Sequence, residues 1–342
     1  TNMDVQPTAP EHPTSDLGQF AGHSAQAILD QGALELTASD LAIASWGPVA
    51  EVSRSYSSAR TTSSLTAPGW RFNFQECLTA ASGSGAPSSA EDFVNYYDEA
   101  GDRYVFLKRA NGPYAYIAPK GFSGVLAYAS PNWTLTVDDG LVSTFNSAGQ
   151  LISEKDRNNQ TVTYAWSGGT MTQIRAANYD ASHPNEQVIN VTYASGKVSS
   201  AAYVTANGTR QVTYDTAPTN SAWRVTHYPG QDAQRKVLYS YDASPRLTRV
   251  TVEDWPSVGS SAYEEFAYAG GILTDGYLPG YNPTTRADAR LNLSYDETYS
   301  AADNETSATV RRYSPTGSQV GYNLLTWRDA SGRLIAGDTY VG

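Results

Sequence analysis

The chain has 342 residues, of which 40% are hydrophobic and only 17% charged, and it contains 24 Tyr, 7 Trp and 28 Gly. Its 23 basic and 34 acidic residues give a formal net charge of −11, which repels phosphate backbones and argues against nucleic-acid binding. The single cysteine, Cys77, excludes an intrachain disulfide framework, and we interpret it as a small buried hydrophobic residue.

The sequence contains no apolar run near the roughly 18 residues that a membrane-spanning helix requires. It also begins without a signal-peptide core. We therefore expect no membrane span, and we expect the chain to be a processed or excised piece of a protein.

Residues 1–16 form a proline-rich segment with almost no large apolar side chains. Pro7, Pro10 and Pro13 are spaced three residues apart, which favours an extended, polyproline-like backbone. Because such a segment cannot order itself alone, we predict that it is an assembly tail that docks on a neighbouring subunit.

Residues 17–130 are predicted to form an amino-terminal β region. Turn residues at 30–32 and 46–48 separate short β-rich runs, and the small residues of 79–92 predict a surface loop. A hairpin is then expected around residues 98–102, where Gly101 supplies the left-handed backbone of a tight reversal.

Residues 131–342 are periodic. An aromatic residue ends alternate predicted strands at intervals of 21, 27, 21, 27, 27 and 27 residues, at Phe145, Trp166, Tyr193, Tyr214, Tyr241, Tyr268 and Tyr295. Each interval holds two strands of about six residues and two turns. The sequence therefore predicts serial β-hairpins and an all-β chain, since Gly or Pro interrupts almost every helical window.

The repeats share a recognisable sequence motif, as in YDASPRLTRVTVED at 241–254 and WRDASGRLIAGDTYVG at 327–342. Asp242 is expected to open a turn after Tyr241, with Leu247 restarting the next strand. The same pattern is carried at the end of the chain by Trp327, Asp329 and Gly332. One copy, YASGKV at 193–198, lacks the Asp.

These motifs resemble the YD repeat of Rhs-like proteins. The stretch TASDLAIASWGPVAEVSRSYSSA followed by PGWRFNFQECL also resembles the region that precedes such repeats in Rhs and wall-associated proteins. The resemblance implies a wide, curved antiparallel sheet, as in teneurins and toxin-complex shells, in an extracellular or cell-surface protein.

Catalytic patterns are missing from the sequence, so we predict a non-enzymatic chain without a cofactor. The four histidines show no zinc-protease spacing, and no Ser lies in a nucleophile elbow. Pairs of carboxylates, which could in principle hydrolyse a glycoside, mostly lie beside turn residues: Glu91-Asp92, Asp98-Glu99, Asp138-Asp139, Glu264-Glu265 and Asp296-Glu297.

Two other kinds of site are open from sequence. Asp98, Glu99 and Asp102 could offer oxygen ligands to Ca²⁺, although a plain hairpin turn accounts for them more simply. Six asparagines fit the glycosylation acceptor: Asn132, Asn159, Asn190, Asn207, Asn292 and Asn304.

Three functions are compatible with these patterns. The leading hypothesis is a structural subunit of an extracellular fibre, sheath or tube that associates with itself by β-strand addition through the tail. The second is an adhesin or glycan-binding module that uses aromatic side chains. The third is the front section of a toxin-encapsulating Rhs shell, with a toxin domain as its partner.

Overall fold

The computed structural model describes residues 14–20, 22–28, 32–60, 63, 65–109, 115–179, 182, 187–215, 222–231, 234–253, 262–277, 290–294, 305–313, 319–328 and 337–341. The regular elements within these ranges are 27 β-strands and one short 3-10 turn. No helix in the described ranges is long and apolar enough to span a membrane.

Five strands near the amino terminus lie in sequence order in one sheet: β1 (Thr14–Phe20), β2 (His23–Ile28), β3 (Ala33–Ile43), β4 (Ala50–Ser57) and β5 (Trp70–Phe72). The 3-10 turn η1 (Asn73–Gln75) follows. Twelve further strands come next: β6 (Cys77–Thr79), β7 (Phe93–Tyr97), β8 (Arg103–Lys108), β9 (Ala115–Ile117), β10 (Gly124–Ala129), β11 (Asn132–Val137), β12 (Val142–Phe145), β13 (Leu151–Lys155), β14 (Thr161–Ser167), β15 (Thr170–Arg175), β16 (Val188–Ala194) and β17 (Lys197–Thr205).

The last ten strands are β18 (Gly208–Tyr214), β19 (Ala222–His227), β20 (Arg235–Tyr241), β21 (Leu247–Glu253), β22 (Ala262–Ala269), β23 (Ile272–Tyr277), β24 (Arg290–Ser294), β25 (Glu305–Tyr313), β26 (Gln319–Arg328) and β27 (Gly337–Val341). Each predicted repeat from Phe145 to Tyr268 therefore contains two strands. The predicted loop at 79–92 connects β6 to β7, and the predicted turn at 98–102 connects β7 to β8.

The chain divides into two compact units whose segments alternate along the sequence. Unit 1 includes Ser39–Ser55 and Arg71–Val212, and unit 2 includes the described residues of Glu11–Ala38, Tyr56–Trp70 and Thr213–Gly342. The domain boundaries that the sequence suggested at residues 16 and 130 remain predictions.

Both units are built from antiparallel neighbours in sequence. In unit 1 each strand from β6 to β17 pairs with the next. In unit 2 the same holds from β19 to β27, and β1 pairs with β2. The prediction of an all-β chain of serial antiparallel hairpins is confirmed.

The core follows the two-residue period of the strands. In β20 the side chains of Val237, Tyr239 and Tyr241 are buried, while Leu238 and Ser240 between them are partly exposed. Because successive side chains of a strand point to opposite faces, one face of each hairpin becomes the core layer. Large aromatic side chains such as Trp133 and Phe145 in unit 1 are fully buried there.

Candidate functional site

The first candidate is the repeated hairpin itself, because its aromatic residues occupy equivalent places. A β-bulge occurs beside five of the predicted repeat aromatics: Phe145, Trp166, Tyr193, Tyr241 and Tyr268. Each is paired across the ladder with a buried aliphatic residue, in turn Leu151, Met171, Val198, Leu247 and Leu273. A bulge bends its strand and increases its twist. A bend is therefore expected at each of these five positions.

The strands on either side of each bulge, such as β12 with β13 and β14 with β15, form one hairpin. At three of these bulges a side-chain hydrogen bond connects one hairpin to the hairpin before it. The Trp166 ring N–H donates to the Leu151 carbonyl at 2.7 Å, and the Tyr193 hydroxyl donates to the Met171 carbonyl at 2.8 Å. In unit 2 the Tyr268 hydroxyl donates to the carbonyl of Leu247 at 3.0 Å. The polar tip of an aromatic side chain thus satisfies a carbonyl in the preceding hairpin.

The turn after Tyr241 is closed by the side chain of Asp242. Its Oδ1 accepts the backbone N–H groups of Ser244 and Arg246, each at 2.9 Å, and its Oδ2 accepts from the Arg246 guanidinium at 2.8 Å. Although partial burial opposes it, these donors hold the pKa of Asp242 below its ordinary value. The Arg246 guanidinium also lies 5.1 Å from the centre of the Tyr268 ring, which joins the turn to the next repeat aromatic.

Equivalent turns elsewhere use other residues. Asn146 and Asp156 each accept backbone N–H groups two and four residues ahead, as Asp242 does. After Tyr193, the copy without Asp turns instead through Ser195 and Gly196, both with positive φ. A two-residue turn of this hand matches the twist of a hairpin.

Unit 2 has an aromatic core that connects its amino-terminal strands to its repeats. The Trp70 ring centre lies 4.8 Å from that of Tyr239, and its ring N–H donates to the Tyr241 hydroxyl at 2.9 Å. The Tyr56 hydroxyl accepts the backbone N–H of Leu247 at 2.8 Å. Trp223 completes the layer, 5.5 Å from Trp70, and Tyr214 stacks on Trp223 at 6.1 Å.

The close approach of Gly69 to Tyr56 explains why a glycine precedes Trp70 in the sequence. Its φ is +80°, and a Cβ at this position would lie 2.4 Å from the ring of Tyr56. Only glycine allows the backbone to approach Tyr56 so closely in this conformation. The Gly-Trp motif of the sequence is therefore a packing device in unit 2.

A buried side-chain hydrogen bond in unit 2 joins β2 to β22. The His23 Nε2 lies 2.8 Å from Glu264 Oε2, and both side chains are at most 1% exposed. Among the described residues His23 Nδ1 has no hydrogen-bond partner. The sequence pair Glu264-Glu265 is thus divided by strand alternation, because Glu265 instead pairs with the exposed Arg249.

Unit 1 contains a group of acidic and tyrosine side chains, which we call the acid–tyrosine cluster: Glu76, Tyr96, Glu154 and Tyr164. The Tyr96 hydroxyl donates to Glu76 at 3.1 Å, and the Tyr164 hydroxyl donates to Glu154. Burial, reinforced by neighbouring carboxylates, raises the pKa of Glu76 well above its ordinary value and raises that of Glu154. Burial also raises the pKa values of both tyrosines.

The calcium candidates are placed in the β7–β8 turn. Asp98 accepts the Asp102 backbone N–H at 2.9 Å and the Tyr104 hydroxyl at 3.3 Å, and burial raises its pKa. Across the described residues, no group of three or more His, Cys, Asp or Glu side chains is arranged to hold a metal ion. Cys77 is half-buried, and burial raises the pKa of its thiol.

The glycosylation candidates differ in exposure. Asn159 and Asn207 are exposed in turns, Asn132 is half-buried, and Asn190 accepts a hydrogen bond from Gln173 at 2.9 Å. Asn292 lies in β24 and Trp327 in β26, where side chains are not described. The remaining predicted residues lie outside the described residues: Pro7, Pro10, Pro13, Tyr295, Asn304, Asp329 and Gly332.

The comparisons with known proteins give distant likenesses. No family model and no curated protein matches the chain. A solved structure of TcdB2-TccC3-Cdc42 is 12% identical, with a TM-score of 0.33 over 88% of this chain and 20% of that one. A structure of TcdB2-TccC3 without its hypervariable C-terminal region is 13% identical, with a TM-score of 0.30 over 96% of this chain and 21% of that one.

A tail fibre of Staphylococcus aureus phage P68 is 8% identical, with a TM-score of 0.13 and coverage of 97% and 96%. This chain spans about a fifth of the length of the two toxin-complex chains. At these identities and TM-scores the matches do not assign the chain to a family.

Proposed function

We propose that this chain is a non-catalytic structural segment of an extracellular β-sheet shell of the Rhs type. Its role would be to form part of the shell wall and not to catalyse a reaction. The observation that carries the proposal is a recurring side-chain connection of one hairpin to the next. Bulges recur beside the repeat aromatics, and ring donors at three of them bind a carbonyl of the preceding hairpin.

The amino-terminal strands support the same role. In unit 2, the Tyr56 hydroxyl is hydrogen-bonded to the backbone of Leu247, and the Trp70 ring N–H is hydrogen-bonded to Tyr241 of the repeats. Both rings are fully buried. Groups used in this way are not available to a substrate.

The proposal is tested by limited proteolysis of the purified chain with a protease of broad specificity, together with an assay for glycoside turnover. We expect cleavage in the 79–92 loop to precede any cleavage within the paired strands, and we expect no turnover. A matched chain carrying W70A, which opens the aromatic core, should be cut within its strands. Early cleavage of paired strands in the unaltered chain, or turnover abolished by E76Q, would contradict the proposal.

A glycan-binding adhesin is a second candidate because of one exposed side chain. Trp46 is 86% exposed in the β3–β4 connection, where Gly47 packs so closely on Gln160 that a Cβ would lie 2.3 Å from it. A glycan array should then give signals that W46A removes and that the control V125A, at another exposed apolar residue, retains.

Self-association through the tail stays a prediction, since Pro7, Pro10 and Pro13 lie outside the described residues. Sedimentation velocity of the intact chain and of a chain lacking residues 1–13 separates it from the shell proposal. Polymers formed only by the intact chain would support the fibre hypothesis. Monomers in both samples would leave the shell segment as the remaining structural role.

A further inference from the structure

The acid–tyrosine cluster lies where separate parts of unit 1 meet. Glu76 follows η1 and directly precedes β6, whereas Glu154 lies on β13. Strand β6 reaches the turn before β13 through the Leu78 N–H, which donates to the Gly149 carbonyl at 2.8 Å, and through an isolated bridge between Cys77 and Gln150. The cluster therefore stands beside the contact that holds β6 in place.

The charged groups that face this cluster are carboxylates. Glu51 on β4 acts on Glu154, while Asp98 and Glu99 of the β7–β8 turn act on Glu76. Glu154 also acts on Glu76. Ionising both would therefore place like charges together in a partly buried site, which is costly.

Lys155 follows Glu154 on β13 and therefore faces the opposite side of that strand. Two other basic residues of unit 1, Arg54 and Arg71, are engaged elsewhere. Arg54 on β4 forms a buried ion pair with Asp40 at 2.6 Å. Arg71 donates to the carbonyl of Gln75 and acts on the thiol of Cys77. Tyr104 on β8 donates to Asp98 of the β7–β8 turn. The tyrosine hydroxyls of Tyr96 and Tyr164 are therefore the donors that meet the two glutamates.

We propose that the acid–tyrosine cluster is an acid-stabilised latch, which holds the start of β6 against the β12–β13 turn at mildly acidic pH and loosens as Glu76 and Glu154 ionise. The direction follows from proton linkage. Both carboxyls bind a proton more tightly in the folded chain than in the unfolded chain. Their stabilisation is therefore fully present below the ordinary carboxyl value of 4.5 and is lost as the pH rises through the folded pKa values. The latch is independent of the proposed function.

Cys77 offers a local measurement because it is the only cysteine and lies within β6. The thiol of the full chain is labelled with 4,4′-dithiodipyridine, and the labelling rate is measured for the folded chain and for the same chain in concentrated urea at the same pH. The rate in urea is then divided by the rate of the folded chain. This ratio is the protection of Cys77. We expect it to fall about tenfold or more between about pH 5 and about pH 8, since one unit of pKa displacement corresponds to a factor of ten.

Two variants distinguish the latch from a general effect of charge. E76Q/E154Q keeps the shape of two neutral carboxyls, so its protection should change less than about threefold over the same range. D92N/D138N removes two exposed carboxylates from unit 1 and should behave as the unaltered chain does. Because E76Q also lies next to the reporter, E154Q alone is measured and should lose part of the pH response.

Several results would overturn the latch. One is protection that does not change with pH in the unaltered chain. Another is a pH response that persists at full size in E76Q/E154Q, or that disappears equally in D92N/D138N. Neutral amides imitate the protonated glutamates, so the latch also requires these variants to fold. Failure of both E154Q and E76Q/E154Q to fold would count against it.

Discussion

The hydroxyl of Tyr56 gives the sharpest test of how the amino-terminal strands of unit 2 support its repeats. Tyr56 is 1% exposed, and its hydroxyl accepts the N–H of Leu247, a residue that is 0% exposed, at 2.8 Å. The substitution Y56F keeps the ring and its packing but leaves this N–H without that acceptor. An unsatisfied buried donor costs about 1–3 kcal/mol, so we expect the free energy of unfolding to fall by that amount at neutral pH.

The same substitution should matter less in strong alkali. Burial raises the pKa of Tyr56 to about 12 from an ordinary value of 10.0. A group whose folded pKa is raised contributes stability below its unfolded value and loses it as the pH approaches the folded value. A pKa raised from 10.0 to about 12 corresponds to about 2.7 kcal/mol of stability. The unaltered chain loses this stability in strong alkali, whereas Y56F, which has no hydroxyl, does not. The difference between the two chains should therefore shrink above about pH 10.

Urea unfolding followed by tryptophan fluorescence measures both effects, because Trp70 and Trp223 lie in the same aromatic core. Y263F is the matched control. Its ring stays under the Arg249 guanidinium at 4.7 Å, and within the described chain its hydroxyl makes no hydrogen bond, so its stability should stay within about 0.5 kcal/mol. Equal stability of Y56F and Y263F at neutral pH would refute the account of the core given above.

Three further outcomes follow from the same contacts. D242A should lose about 1–2 kcal/mol of stability in urea unfolding, while D242N, which retains the Oδ1 acceptor, should lose less. Because the folded pKa of Asp242 is lowered, its contribution to stability is present above the ordinary value of 3.8 and is lost as the pH falls below that value. H23A should cost about 1–3 kcal/mol by leaving the buried Glu264 carboxyl without its hydrogen-bond partner, and no measurable loss would contradict the buried hydrogen bond. Absorbance at alkaline pH should show that Tyr56 and Tyr193, both with pKa values raised to about 12 by burial, ionise only above the ordinary range or upon unfolding.

Local patterns in the sequence predicted the hairpins because each depends on neighbours a few residues apart. Alternation of apolar residues gave the strands, and Asp242 and Gly101 gave their turns. The positions of the repeat aromatics were also readable, since one aromatic ends alternate strands. Their hydrogen bonds were not, because the acceptor is a backbone carbonyl that carries no sequence signal.

The acid–tyrosine cluster could not be predicted, because Glu76 and Glu154 are 78 positions apart and meet only through the pairing of many strands. Carboxylate pairs adjacent in sequence were misleading for the same reason. Neighbouring strand residues face opposite sides, so Glu264 is buried against His23 while Glu265 pairs with Arg249 at the surface. One available signal was an acidic residue at the inward position of a strand, as Glu154 is beside Tyr164.

The bulges also explain why three of the repeat aromatics, Trp166, Tyr193 and Tyr268, use the polar tip of their side chain. A bulge interrupts the ladder and leaves backbone groups that must find other partners when they are buried. At Leu247 the N–H is taken by Tyr56 and the carbonyl by Tyr268, so both polar groups of that residue are satisfied by tyrosine hydroxyls. A Phe at either tyrosine position would preserve the packing but leave one of these groups unpaired. At Trp166, Tyr193 and Tyr268 the need for a polar tip is therefore set by a backbone carbonyl of the preceding hairpin, whereas Phe145 fills its bulge position without one.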